Sequence, residues 1–237
     1  MYTETIKTVL IQNNVPVTTP QAERLSRYLT ELLETNQTMN LTAIRDPEEA
    51  ILKHLADCGI CAAAIPPKAD LLDVGSGAGL PAFPFAILRP DIKVTALDST
   101  GKKADFIAET AKKLELPNLR AICRRAEDLA KDRSYRERYT AVSARTVARM
   151  NVLSELCLPF LKVGGVFLAM KSRLADEELA EALSGIGTLG GKPRETRRFS
   201  LVGGEEEAER CLILVDKRAH TPPQFPRVYT RIAAKPL

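Results

Sequence analysis

Leu71-Leu72-Asp73-Val74-Gly75-Ser76-Gly77-Ala78-Gly79-Leu80-Pro81 is the stretch on which the fold turns. An apolar run leads into three glycines at alternate positions, and Pro81 suits the first turn of a following helix. Glycines at such a junction let the backbone turn tightly and let a ligand approach it with no Cβ in the way. Asp98 closes the next apolar run, nineteen residues after Gly79, where a carboxylate meets the ribose hydroxyls of a nucleoside. The alternative is a tight strand-to-helix turn without a ligand, and the strand, three glycines, helix and delayed acid taken together count against it.

Two classes of nucleoside ligand fit this pattern. Gly77-Ala78-Gly79-Leu80-Pro81-Ala82 satisfies the dinucleotide form G-x-G-x-x-A, which admits a nicotinamide-dependent oxidoreductase. Two features count against a pyrophosphate. Asp73 places a negative charge two residues before the first glycine, where it would accept hydrogen bonds from an amino-bearing or cationic ligand. Pro81 removes a backbone donor from the helix start that a phosphate would use. S-adenosylmethionine carries ribose hydroxyls, an amino group and a sulfonium but no phosphate, and fits the loop better.

Outward from the loop, the pattern changes at Pro66-Pro67. Before it the chain reads as helix: Ile6, Val9 and Leu10 on one segment, then Leu25, Leu29, Leu32 and Leu33 on a second that begins near Pro20. A third opens at Asp46-Pro47-Glu48-Glu49, with acids in the turn where the helix dipole favours them, and runs through Ile51, Leu52, Leu55 and Ile60. After it, short apolar runs at 71–74, 94–97, 119–123, 141–143 and 166–170 alternate with helical patterns at 81–88, 102–114, 150–161 and 175–186. Such alternation predicts a parallel sheet covered on both faces. Two further strand-like stretches, 196–202 and 211–215, are joined by a Gly-Gly and glutamate connection too short for a helical crossover, so that pair is predicted antiparallel. The expected organisation is an N-terminal helical cap, residues 1–65, followed by an α/β S-adenosylmethionine-binding domain, residues 66–237.

Composition narrows the setting. With 34 basic and 30 acidic residues among 237, the net charge is only +4, so an acidic partner is permitted and not demanded. No apolar run reaches the roughly 18 residues that span a bilayer, and Met1-Tyr2-Thr3-Glu4-Thr5 has no secretory character. Five scattered cysteines do not form a disulfide framework. The expectation is a cytoplasmic, monomeric protein that touches no membrane. Cys58-Gly59-Ile60-Cys61 with His54 shares one helical face, but with no second ligand pair a buried apolar face is the better reading than a metal site.

With these residues in view, the chain resembles the ribosomal RNA small-subunit methyltransferase G family, also called glucose-inhibited division protein B. The resemblance is carried by Met39-Asn40-Leu41-Thr42-Ala43-Ile44 with Asp46-Pro47 and His54, by Asp73 to Pro81, and by Leu97-Asp98-Ser99 with Gly101-Lys102. It continues in Arg125-Ala126-Glu127, Ser143-Ala144-Arg145, Ala169-Met170-Lys171, Thr221-Pro222 and Phe225-Pro226-Arg227. Family blocks in this order cover almost the whole chain. They imply a class I, Rossmann-like α/β fold, a mostly parallel seven-stranded sheet with an antiparallel last strand and an N-terminal helical extension. They also imply methylation by S-adenosylmethionine of guanine N7 at one site in small-subunit (16S) ribosomal RNA, free or in a precursor particle. Family cofactor positions fall on Gly75, Leu80, Ala126, Glu127 and Arg145, which join Asp73, Gly77, Gly79 and Asp98. Ala82 and Phe83 stand where the family more often has Gly and Ile, and Val228-Tyr229-Thr230 departs from the family's tail.

The residues speak to the acceptor as well. An exocyclic amine usually needs an Asn-Pro-Pro-Tyr clamp after the fourth strand, and a pyrimidine ring carbon needs a cysteine there. This chain has Ser143-Ala144-Arg145-Thr146, and Cys157 lies well into the next helix. Guanine N7 offers a lone pair with no proton to remove, so no catalytic base is assigned; an oxygen acceptor aided by Lys171 fits the same pattern. Arg145 would hold the cofactor carboxylate or an RNA phosphate, or else form a surface ion pair. Glu127 would face the adenine amino group or sit as an exposed turn acid. Lys102 and Lys103 oppose the dipole of the helix they open, which reads as phosphate contact or, with Asp105 offsetting the cost, as solvated lysine. Lys171 and Arg197 complete the RNA-binding candidates. Basic residues gather at Arg120 to Arg138 and again from Arg194 to Lys235. With no tryptophan and few aromatics, RNA binding is expected to rest on phosphates and shape.

Overall fold

The structure, a computed structural model, describes residues 1–172, 174–203 and 209–237. The cap consists of α1 (Thr3–Gln12), α2 (Thr19–Met39), α3 (Pro47–Ala50) and α4 (Asp57–Ala62). The start of α2 is fixed by a capping box: the Thr18 backbone N–H donates to the Gln21 side chain, and the Gln21 N–H donates back to the Thr18 hydroxyl. Asp46 caps α3 by accepting from the Glu49 N–H at 2.8 Å. Between α3 and α4 the helix widens into a π-helical turn, Ile51–Ala56, which periodicity does not reveal.

The α/β part follows as β1 (Asp70–Val74), α5 (Ala82–Leu88), β2 (Lys93–Asp98), α6 (Gly101–Lys113), β3 (Leu119–Cys123) and α7 (Ala126–Leu129). It continues with β4 (Tyr139–Arg145), α8 (Met150–Cys157), β5 (Leu161–Lys171), α9 (Ala175–Thr188), β6 (Gly191–Ser200), β7 (Glu209–Lys217) and α10 (Tyr229–Ala234). The seven strands form one sheet in the order β3-β2-β1-β4-β5-β7-β6. The pairs β1–β2, β1–β4, β2–β3 and β4–β5 are parallel, and β7 runs antiparallel to both β5 and β6, as the short connection predicts. That connection, 204–208, lies outside the described residues. The helical pattern at 150–161 ends early: α8 stops at Cys157, and Pro159 sits in a 3-10 turn, Leu158–Phe160. The short helices α7 and α10 carry too few periods to be read from sequence.

Strand alternation divides the apolar residues between two faces. On β5, Val166 and Leu168 pack with the cap, α5 and α6, while Phe167 and Ala169 pack with α8 and α9. The apolar residues of the cap run without a break into those beneath the sheet, so Leu10, Leu29 and Leu55 share a core with Phe83, Ile107 and Leu214. Tyr28 of α2 is the clearest join. Its ring stacks on Phe83 at 4.4 Å and its hydroxyl donates to the Ala78 carbonyl at 2.8 Å, inside the glycine loop. The strand order reverses between β1 and β4, and at such a switch point a crevice opens beyond the carboxyl ends of the strands.

Candidate functional site

The loop after β1 lies in that crevice, and its three glycines serve different ends. Gly75, Gly77 and Gly79 all hold positive φ, at 73°, 56° and 82°. A Cβ on Gly79 would stand 2.3 Å from the Phe83 ring, and one on Gly75 would stand 2.6 Å from a Val147 methyl. On Gly77 it would meet open space, with the nearest atom, the Gly75 carbonyl oxygen, at 3.9 Å. Two glycines are therefore required by packing, and the middle one keeps the backbone bare toward the cavity. Pro81 ends the loop at the cap position of α5, one residue before the helix proper.

Asp98 reaches the loop from the end of β2. Its Oδ2 accepts from the Gly77 N–H and its Oδ1 from the Thr100 N–H, both at 2.9 Å. The carboxylate expected to face a ribose thus also holds the loop in shape, and each oxygen retains a lone pair for a ligand. Asp73 is fully buried below the loop, opposite Ser143 of β4, whose hydroxyl donates to its Oδ1 at 2.8 Å. Its Oδ2 has no partner among the described residues. Burial pushes this carboxyl up to about 6, while the hydroxyls of Ser76 and Ser143 pull the other way. An orphaned acceptor of this kind suits a ligand that brings donors, such as an ammonium group, and does not suit a phosphate.

A cavity of about 500 Å³, of the size that holds a nucleoside-sized ligand, joins the loop to Asp98; Asp73 lies buried beneath the loop and does not line it. Thr42 and His54 of the cap, Gly77, Asp98, Lys103 and Arg145 are among its walls, with Leu80 in the loop. A wider cleft of about 620 Å³ opens at the opposite edge of the sheet, by Asp70 and Lys93 at the strand starts. Arg120 and Arg138 of the first basic cluster line it, but none of the candidate cofactor residues does.

Arg145 departs from its expected role. Rather than standing free for a carboxylate or phosphate, its Nη2 donates to the Lys53 carbonyl at 2.7 Å and pairs with Asp57 Oδ2 at 3.2 Å. The pair is no surface feature, since the two side chains are only 12% and 6% exposed. The π-helical turn explains it: widening the helix frees the Lys53 carbonyl, and a strand-end arginine fills the gap. The same Nη2 lies 3.2 Å from His54 Nδ1. A guanidinium only donates, so Nδ1 is the acceptor and the ring proton sits on Nε2, which donates to Thr42 Oγ1 at 2.9 Å. Burial and the Arg145 charge bring His54 down to about 4, so the ring is neutral at physiological pH. Cys58 and Cys61, on the same helical run, are packed into the apolar core, and burial raises both thiols.

Of the other candidates, Lys171 is spent on the chain itself. Its ammonium donates to the Ala148 carbonyl and pairs with Glu178 at 2.7 Å, pinning the β4–α8 loop. Arg197 pairs with Glu195 on the edge strand β6, outside the cavity wall. Ala126 and Glu127 open α7 at the same edge of the sheet as Asp98, next to the Arg124 N–H that donates to the Asp98 carbonyl, but they do not line the cavity. Glu127 is buried and not an exposed turn acid. Lys103 lines the cavity and Lys102 beside it is exposed. Sequence reasoning missed Tyr28, Asn36 and Thr42 as parts of the site. The Met39 to Ile44 block was a visible signal for Thr42, but no spacing rule linked it to a cavity.

Comparison with known proteins gives this geometry a family. The model for rRNA small subunit methyltransferase G matches residues 21–202. The chain is 42% identical to the ribosomal RNA small subunit methyltransferase G of Lactobacillus delbrueckii subsp. bulgaricus, over 100% of both chains. It is 43% identical to the protein of that name from Oceanobacillus iheyensis, over 92% of each. The chain belongs to the ribosomal RNA small subunit methyltransferase G family. Solved structures agree on the fold at lower identity. Geranyl diphosphate methyltransferase in complex with S-adenosylmethionine superposes with a TM-score of 0.51 at 16% identity, over 75% of this chain and 93% of that one. Precorrin-6y C5,15-methyltransferase from Geobacter metallireducens gives 0.51 at 15%, over 68% and 87%. The methyltransferase G match spans α2 to β6, so the cap loop with Thr42 and His54 belongs to the family as fully as the glycine loop does.

Proposed function

We propose that this chain transfers a methyl group from S-adenosylmethionine to N7 of one guanosine in small-subunit (16S) ribosomal RNA. The observation that carries the reading is the cavity over Gly77 in a chain of this family, with bare backbone and Asp98 at the ribose position. The cofactor, when bound, supplies an electrophilic methyl on a sulfonium. Gly77, Asp98 and the backbone near Leu80 hold it, with Asp73 buried beneath the loop; Ala126 and Glu127 stand behind the wall at its adenine end. The cap, residues 1–65, forms the wall above the methyl. Transfer is an in-line displacement that the protein promotes by holding acceptor and methyl in contact. N7 has no proton to lose, so no wall residue needs to act as a base, and neutral His54 is not asked to.

Lys102 and Lys103 are the strongest RNA phosphate contacts, since Arg145 and Lys171 are already paired. No helix of the described residues is long and apolar enough to cross a membrane. The chain acts as a cytoplasmic monomer on ribosomal RNA or a precursor particle. The test is transfer of labelled methyl to small subunits and to naked RNA from cells lacking the gene, followed by borohydride and aniline cleavage at N7-methylguanosine. Label at a single guanosine in 16S RNA is expected. Absence of label, or label at another atom, overturns the reading.

A further inference from the structure

Thr42 is held more firmly than a loop residue needs to be. Its backbone carbonyl accepts from Asn36 Nδ2 at 3.0 Å and its N–H donates to Asn36 Oδ1 at 2.9 Å, so one asparagine from α2 grips both main-chain groups. Its Oγ1 accepts from His54 Nε2 at 2.9 Å and from the Ile44 N–H at 3.2 Å. The direction of the first bond follows from Arg145, which can only donate to the far side of the ring. Two N–H groups therefore occupy the oxygen's lone pairs, and its own proton is left to give. Thr42 lines the cavity, as do His54 and Arg145, which stands at the end of β4. Asp98 marks the ribose end, at β2. The order β2-β1-β4 places Thr42 at the opposite, reacting end.

We propose that the Thr42 hydroxyl is a preset donor to an oxygen at the reacting end of the bound pair, either the cofactor's methionine carboxylate or O6 of the acceptor guanine. Both are acceptor oxygens within one chemistry, and the assignment rests on the methyltransferase reading above. A donor fixed in place before binding loses little freedom when the ligand arrives.

Thr42→Val keeps the shape and removes the hydroxyl; Thr42→Ser keeps the hydroxyl. Calorimetry with S-adenosylhomocysteine and with 5′-methylthioadenosine, which lacks the carboxylate, is paired with methyl transfer to small subunits, and melting temperatures verify folding. If the carboxylate is the acceptor, Thr42→Val weakens S-adenosylhomocysteine about tenfold and leaves 5′-methylthioadenosine unchanged. If guanine O6 is the acceptor, both affinities hold and kcat/KM falls about threefold to tenfold. In either case Thr42→Ser restores the wild-type value. A folded Thr42→Val protein within twofold of wild type in all three measurements overturns the proposal, as does a Thr42→Ser protein that behaves like Thr42→Val. Should Thr42→Val fail to fold, Thr42→Ala removes the same hydroxyl at smaller volume and is judged by the same outcomes. Wild-type protein that binds neither nucleoside overturns the methyltransferase reading together with this one.

Discussion

Replacing Asp57 by Asn strips the charge from the buried partner of Arg145 and leaves the guanidinium where it is. At 3.2 Å, and with an effective dielectric constant of about 20, the attraction is about 5 kcal/mol. Part of it offsets desolvation, because burial raises the Asp57 carboxyl above its usual range despite the two arginines facing it. Arg210 stands farther off, at 3.9 Å, and takes up little of the loss. Removing one partner of a buried pair costs about 3–5 kcal/mol, and the desolvation relieved at Asp57 places this case near the lower figure. For a chain of this size each kcal/mol lowers Tm by about 2–4 °C, so Asp57→Asn is expected to melt about 6–12 °C early. Arg145→Met completes a double mutant cycle: with the guanidinium gone, the second substitution at Asp57 has no charge to strand, and the double variant is expected to lose less than the sum of the two single losses. Scanning calorimetry of the four proteins at pH 7.5 makes the comparison. Additive losses, or an Asp57→Asn protein that melts with wild type, would refute the claim that this pair ties the cap to the sheet.

Three further outcomes follow from the site. Gly77→Ala is expected to fold with a loss of only about 1 kcal/mol, from the positive φ, yet to lose S-adenosylhomocysteine binding in calorimetry; Gly79→Ala is expected to lose stability first, because its Cβ meets the Phe83 ring. Asp73 binds its proton more tightly in the fold, at about 6 against 3.8 unfolded, so its burial penalty is present above pH 6 and is relieved as pH falls from 6 toward 4. Asp73→Asn should therefore raise stability at pH 7.5 by up to about 3 kcal/mol, flatten that pH window in urea titrations, and weaken cofactor binding. Tyr28→Phe keeps the stack on Phe83 but orphans the Ala78 carbonyl, with an expected cost of about 1–2 kcal/mol by urea unfolding.

The sheet was legible because its signals are local and repeated. Every strand but the polar edge strand β6 carries its own apolar run, and the glycine loop with Asp98 points to the edge that binds a ligand. The antiparallel end followed from the length of one connection. What stayed hidden depends on partners far apart in the chain. Arg145 looked available because sequence shows a strand-end cation and not the carbonyl that a π-helical turn of the cap would free for it. Lys171 looked available for the same reason, since Glu178 meets it only after α9 packs back. Asp98 was read for its ligand and not for the Gly77 N–H it already holds. In each case but the last the missing information was the cap or a later helix laid against the crevice, and no periodicity records that placement.

These pairings alter what the net charge of +4 means for the reaction. Under the proposed chemistry the positive charge begins on the sulfonium and ends on the methylated purine, so the site holds one extra positive charge from start to finish. An unpaired guanidinium or ammonium at the reacting end would repel that charge in both states, by about 1 kcal/mol at 4 Å even in water and by more in a dry cavity. Arg145 is neutralised by Asp57, Lys171 by Glu178, and His54 is kept without a proton by burial and by the same arginine. Lys102 and Lys103 open α6 after β2 and, under the same proposal, are the cations that meet RNA phosphate; Lys103 does so from the cavity wall. The cations therefore fall into two sets. Under the proposed chemistry, those at the reacting end are bound into the wall that shapes it, and the two lysines of α6 are the ones left to meet phosphate.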